Sequence, residues 1–335
     1  MALLFAIFKR IFLVGSAVFI GVYLNFPPPN MSHNLRLWMQ SGQFFLHAVN
    51  GKAVKIFYKD VSGYGHKNKI LLLIHGFPTS SFDWNKVWEP LREKFGRVLT
   101  ADMAGFGFSD KPKDINYTVN LQADMFENFL KSNDVKEVNI IAHDLGLTVA
   151  LELLARYEDR RKKKSTQEGV DILSICLTNG GLFPQNYFPR PIQQLLLLPW
   201  IGPLVTRVGN RFIFAKSFSE VFGPKTQPQQ EELNDHFIGI RYADGNLLHP
   251  NILGYIRERQ VYKERWVGSL QKTFLPIHFI YGPADPVNPP IFVTTFKKIV
   301  PQHGITVLDA HIGHYPQLED PENFMLTYNR FLNSF

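Results

Sequence analysis

The reading of one stretch decides the fold: VNIIAHDLGLTVALELLA, residues 138–155. It begins as a short apolar run, Val138 to Ala142, of the kind a buried strand carries. A helical segment from about 146 to 157 follows with almost no linker. Ala142-His143-Asp144-Leu145-Gly146 lies at the junction. A strand that turns this abruptly into a helix needs small residues two positions before and two after the central one. Ala142 and Gly146 meet that demand. Such a turn lifts its central side chain out of the sheet, and here that side chain is a carboxylate. Free N–H groups and the helix dipole favour negative charge at this place. An aspartate that merely caps the helix fits the same five residues equally well.

The flanking sequence alternates strand and helix. Strands are expected near 44–49 and 53–59, with Gly51 at the turn between them, and at 70–74, 97–101, 138–142 and 172–178. Helices are expected near 83–95 and 119–132, the second after Thr118 as N-cap. The alternation stops at residue 183. Residues 183–272 hold helical segments and several prolines but no buried strand. It resumes with strands at 277–281 and 304–308 and helices at 290–299 and 321–333. Continuous apolar strands between helices predict an α/β fold, a mostly parallel eight-stranded sheet covered on both faces. The core is expected over 42–182 and 273–335, with a helical lid over 183–272.

Three further motifs bear on Asp144. His75-Gly76-Phe77-Pro78 follows the strand at 70–74, where the N–H of Phe77, together with that of Leu145, would form an oxyanion hole. His314, in the loop between the last strand and the last helix, is the expected base, ahead of His311. Asp285 lies just past the strand at 277–281, where an acid that orients the base belongs; an Asp-Pro turn is its plainer reading. The chain order Asp144, Asp285, His314 agrees with one topology.

The phrases HGFPTSSFDW (75–84), RVLTADMAGFGFSDKP (97–112), AHDLG (142–146) and GHYPQLEDP (313–321) resemble the epoxide hydrolase and haloalkane dehalogenase branch of the α/β-hydrolases. The likeness runs from about Gly42 to the carboxyl end, and Asn179-Gly-Gly181, Val221-Phe-Gly-Pro224 and Asp244-Gly-Asn246 share it. The resemblance implies a hydrolase of the endoplasmic reticulum membrane acting on a lipophilic substrate. It implies that Asp144 attacks carbon to form an ester that His314, oriented by Asp285, then hydrolyses. Leu145 stands where many relatives carry a halide-holding Trp, which disfavours dehalogenation, and Leu147 is bulkier than the small residue often found there. Epoxide opening needs acid donors, usually lid tyrosines; Tyr187, Tyr242, Tyr255 and Tyr262 are the candidates. Ester or lipid hydrolysis, or acyl transfer, on the same fold is an alternative. A non-catalytic membrane interaction protein is another.

Composition bounds the rest. The chain of 335 residues is 45% apolar and 19% charged, ordinary for a globular core with one insertion. Its net charge is +7, and part of the excess sits in Arg160-Arg161-Lys162-Lys163-Lys164. No aromatic residue is interleaved there, so a solvated surface loop is expected rather than a nucleic-acid contact. Cys176 is the single cysteine and reads as a small buried hydrophobe. No phosphate loop, dinucleotide fingerprint or metal-ligand cluster is visible, so neither cofactor nor metal is expected. Residues 1–30 predict a membrane anchor, IFLVGSAVFIGVYL (11–24) with Lys9-Arg10 before it and Pro27-Pro28-Pro29 after it.

Overall fold

A computed structural model of the chain describes residues 2–24, 27–163 and 169–335. Eight strands form one sheet: β1 (Gln43–Val49), β2 (Lys52–Ser62), β3 (His66–Ile74), β4 (Phe95–Ala101), β5 (Glu137–His143), β6 (Asp171–Thr178), β7 (Ile277–Tyr281) and β8 (Gly304–Val307). Their order is β1-β2-β4-β3-β5-β6-β7-β8. The β1–β2 and β2–β4 pairs are antiparallel and all others parallel. The central strands are apolar where both of their faces are covered: Leu71, Leu72, Leu73 and Ile74 at the end of β3 are fully buried. Cys176 is buried in β6, and burial pushes its thiol pKa up.

Before the sheet lie α1 (Ala2–Leu24) and α2 (His33–Gln40). On its faces lie α3 (Trp88–Arg92), α4 (Val119–Ser132) and α5 (Leu145–Lys162). The α4 helix begins where expected, its first turn capped by the Thr118 side chain accepting from Leu121 N–H. Between β6 and β7 come α6 (Pro191–Leu196), α7 (Gly202–Val208), α8 (Arg211–Ser219), α9 (Gln230–Arg241), α10 (His249–Ile252), α11 (Tyr255–Val261) and α12 (Lys263–Lys272). Among the described residues this insertion holds no strand. The chain closes with α13 (Ile291–Ile299), α14 (Pro316–Glu319) and α15 (Pro321–Leu332).

Two expectations need correction. The basic run was placed in a loop, yet Arg160, Arg161 and Lys162 form the last turn of α5. There they complement the helix dipole, and Arg160 donates to Glu127 and to the Val170 carbonyl. Lys164 lies outside the described residues. The second correction concerns residues 1–30. The helix α1 forms, but no helix among the described residues is long and apolar enough to cross a membrane. Lys9 and Arg10 interrupt its apolar stretch, so a spanning anchor is not supported. It nevertheless exposes large apolar side chains, among them Phe5, Phe8, Phe12 and Phe19.

The segment after α1 is tied to the insertion. Ser32 caps α2, accepting from Leu35 N–H, while its own N–H and hydroxyl both donate to the Asp235 carboxylate on α9. A second buried contact joins core to insertion: His236 Nδ1 lies 3.7 Å from Asp83 Oδ1. Burial holds His236 down at about 3 and pushes the Asp83 carboxyl well above the usual carboxylate range.

Candidate active site

The site is built at the carboxyl ends of β3, β5, β6 and β7 and in the loop after β8. Asp144 joins β5 to α5 with φ +45° and ψ −106°, a conformation that side chains rarely adopt. The turn is so tight that a Cβ on residue 146 would lie 2.4 Å from the Ile74 carbonyl oxygen, so only glycine fits. The Asp144 side chain makes no capping bond to its own helix. Its carboxylate points instead toward the turn after β3, where Phe77 N–H donates to Oδ2 at 3.2 Å. Leu145 opens α5, leaving its N–H at the helix end, where no intrahelical partner exists.

Asp285 and His314 meet. His314 Nδ1 and Asp285 Oδ2 are 2.7 Å apart. Asp285 is fixed from three other sides, accepting from Asn179 Nδ2, Asn288 Nδ2 and Val287 N–H. Burial pushes the Asp285 carboxyl up, but His314 and the two amides outweigh it and hold it below its ordinary value. Burial pulls His314 down, yet Asp285, with the charge of Asp144 behind it, leaves its pKa above the ordinary 6.5. Because Nδ1 faces the carboxylate, Nε2 is the nitrogen left for chemistry. His143 steadies this histidine: its Nε2–H donates to the His314 carbonyl at 2.8 Å, and the rings meet edge to face at 4.9 Å. Burial, then the charge of His314, holds His143 down at about 3, so it stays neutral.

Asp144, His314 and Phe77 border one cavity of about 370 Å³. Its other walls are largely apolar and come from α6 to α9, with Leu196, Val205, Ile213, Phe218 and Ile240 among them. The predicted Asp144, Asp285, His314 and Phe77 are therefore brought together. Asp144 and His314 make no direct hydrogen bond, which leaves room for a reactant or water between them.

The four tyrosines fare differently. None of Tyr187, Tyr242, Tyr255 and Tyr262 borders the cavity. Tyr242 is exposed and packs on Phe108 with Lys111 over its ring; Tyr262 leans on Trp266. Tyr187 and Tyr255 are close to the site but are occupied by an arginine whose guanidinium lies 5.3 Å and 4.6 Å from their ring centres. Burial and the charge of Asp144 push Tyr187 up to about 12 and Tyr255 well above its ordinary value. The tyrosine that does border the cavity is Tyr315, next to His314 and stacked on Phe222.

Arg259 is the residue that sequence reasoning missed. It is buried on α11. Its Nη2 donates to the Asp144 carbonyl at 2.9 Å and lies 3.3 Å from Asp144 Oδ1, and its Nε donates to Thr148 Oγ1. Its Nη1 has no hydrogen-bond partner. A Cβ at Gly181 would stand 2.3 Å from that nitrogen, so the Asn179-Gly-Gly181 turn makes the space the guanidinium fills. In the sequence Arg259 sits in Arg-Glu-Arg-Gln, which reads as an exposed helix face. Its only signal is the excess of small residues at 180 and 181.

Comparison with known proteins bears on the fold and the family. A family model described as the alpha/beta hydrolase fold matches residues 69–321. The mesoderm-specific transcript homolog proteins of Homo sapiens and Bos taurus are each 44% identical over 320 residues, covering 94% of this chain and 93% of theirs. Among solved structures, a bacterial membrane phospholipase A superposes with a TM-score of 0.67 at 22% identity, covering 99% of this chain and 96% of that one. A mutant haloalkane dehalogenase from Agrobacterium tumefaciens C58 superposes with a TM-score of 0.69 at 19% identity, over 90% of this chain and 100% of that one. At those identities the structural likenesses establish the fold alone. The chain belongs to the alpha/beta hydrolase fold family and, within it, to the mesoderm-specific transcript proteins.

Proposed function

We propose that the protein hydrolyses a lipophilic substrate, epoxide hydrolase-like, through a covalent ester on Asp144, at the endoplasmic reticulum membrane. The observation that carries this reading is a carboxylate at a strained elbow, facing an apolar cavity, with an Asp–His pair on the same wall.

Asp144 Oδ2 rests on Phe77 N–H, so Oδ1 is the attacking oxygen. It bonds to an epoxide carbon while the carbon–oxygen bond of the ring breaks, and the ring oxygen leaves as an alkoxide. The alkoxide takes a proton from Tyr315, the tyrosine that borders the cavity. Alkylation cancels the charge of Asp144, and Arg259 then stands as a buried cation beside the developing oxyanion, a favourable electrostatic term in a dry site. Water, deprotonated by His314 Nε2, attacks the ester carbonyl. The resulting tetrahedral oxyanion is held by the N–H groups of Phe77 and Leu145. Collapse expels the alkoxyl oxygen, which takes the proton back from His314 and completes the diol, and leaves Asp144 as a carboxylic acid. That acid's proton, brought by the attacking water, passes to the Tyr315 phenolate and restores both groups.

A panel of lipophilic epoxides and esters on the full chain tests the reading. Epoxide turnover with intact-mass capture of an adduct at Asp144 is expected. Ester turnover without an adduct at Asp144 would overturn it in favour of the ester or lipid hydrolase alternative. Subcellular fractionation of the tagged chain tests the membrane assignment, and recovery away from reticulum markers would remove it.

A further inference from the structure

The cavity wall formed by α6, the loop after it and α7 is apolar on both faces. Its inner side, with Ile192, Leu196 and Val205, borders the cavity. Its outer side carries Leu195, Leu198, Trp200, Ile201 and Leu204, exposed by 42%, 44%, 91%, 42% and 61%. A helix that faces water on one side normally presents polar residues there. Single exposed leucines are ordinary, but a contiguous group of this size marks a contact surface. The charge pattern says which kind. From Tyr187 to Ser219 the chain contains Arg190, Arg207, Arg211 and Lys216 and no acidic residue. Arg190 is taken up by Glu220, while Arg207 on α7 and Lys216 on the neighbouring α8 are exposed. An apolar face with an indole at its crest and cations at its margin is the pattern of a surface that sits in the headgroup layer of an anionic bilayer. The end of α7 also meets the amino-terminal segment: one depression is lined by Tyr23, Pro27 and Pro28 and by Arg207 and Val208 of α7.

We propose that α6, the following loop and α7 form a docking face for an anionic lipid surface, so that one layer of helix separates the cavity from the bilayer. The proposal rests on the cavity wall and its charge, not on the chemistry assigned to Asp144. It is independent of α1 as well, and the test separates the two. Trp200 is exposed, whereas Trp38, Trp84, Trp88 and Trp266 are at most 5% exposed, so subtracting the emission of a Trp200→Phe variant isolates one indole. The full chain is mixed with phosphatidylcholine vesicles, with and without phosphatidylserine, carrying brominated acyl chains. On phosphatidylserine vesicles Trp200 emission shifts to shorter wavelength, the bromolipid quenches it, and iodide loses access to it. Leu204→Glu, at an exposed position that folding does not need, reduces that quenching several-fold. A chain that sediments with vesicles while Trp200 stays open to iodide and unquenched overturns the proposal, because α1 alone would then hold it. Equal quenching on phosphatidylcholine alone overturns the anionic assignment. Shielding of Trp200 from iodide before any vesicle is added also overturns it, since a second copy or another protein would then cover the face.

Discussion

The sheet end and the roof above it solve different problems. At the sheet end the two carboxylates are held from several sides: Asp285 takes four hydrogen bonds and Asp144 is gripped by Phe77 and Arg259. The roof, α6 to α8, offers the cavity mostly alkyl and phenyl surface. Direction and charge are thus fixed by the core, while the roof supplies volume and exclusion of water. The arrangement teaches that the reaction type is set below the cavity and the substrate's bulk above it. Changes at the sheet end should therefore alter rate steeply, and changes in the roof should alter which molecule is accepted.

The largest effect is expected from Asp144→Asn, which should abolish turnover of any epoxide the wild type accepts, by about 10³-fold or more in kcat; retained turnover would end the nucleophile assignment. Asp144→Ala should also cost stability, about 3–5 kcal/mol, because it strands a buried guanidinium. Adding Arg259→Met should recover part of that loss, and strictly additive melting shifts would show that the pair is not coupled. His314→Gln should leave the first step intact and stop the second, so the ester accumulates and intact mass rises by one substrate. Asp285→Asn should lower kcat by about 10²–10⁴-fold, in line with loss of an acid–base partner. It should also move the acid limb of the pH profile. Here the sign is fixed by the raised pKa of His314: the base is neutral only above that value, so activity falls as pH drops through a point above 6.5. Removing the carboxylate lowers the pKa and carries the limb to lower pH. The smallest effect is expected from Tyr315→Phe, about 10-fold or more on ring opening with ester hydrolysis unchanged. If Tyr187→Phe or Tyr255→Phe slows ring opening more than Tyr315→Phe does, the assignment of the proton donor reverts to the insertion.

The sheet end was legible for physical reasons, and the roof was not for others. Strands β3 and β5 end in apolar runs because both faces are covered there, so the turns after them follow from local pattern, whereas the polar, exposed start of β3 at His66 carries no such signal. The elbow adds a steric demand that Gly146 satisfies visibly. The insertion carries no such signal. Its helices run from 4 to 12 residues, too short for periodicity to tell an inward face from an outward one. Tyr187 and Tyr255 were therefore chosen by type, and nothing local indicated that Arg259 would lie between them and the cavity. Arg259 became buried because the Asn179-Gly-Gly181 turn and the Asp144 carboxylate lie beside α11, a relation between residues far apart in the chain. The basic run departs from a loop for a simpler reason: the negative end of the α5 dipole offsets the repulsion among its charges.

The double bond of Ser32 to Asp235 has a practical corollary. Position 32 belongs by sequence to the stem below α1, yet by contact it is a strut of α9. Shortening the polypeptide anywhere before Asn30 leaves that strut standing, whereas starting it at Leu35 kicks it away and leaves an aspartate 4% exposed with nothing to hold.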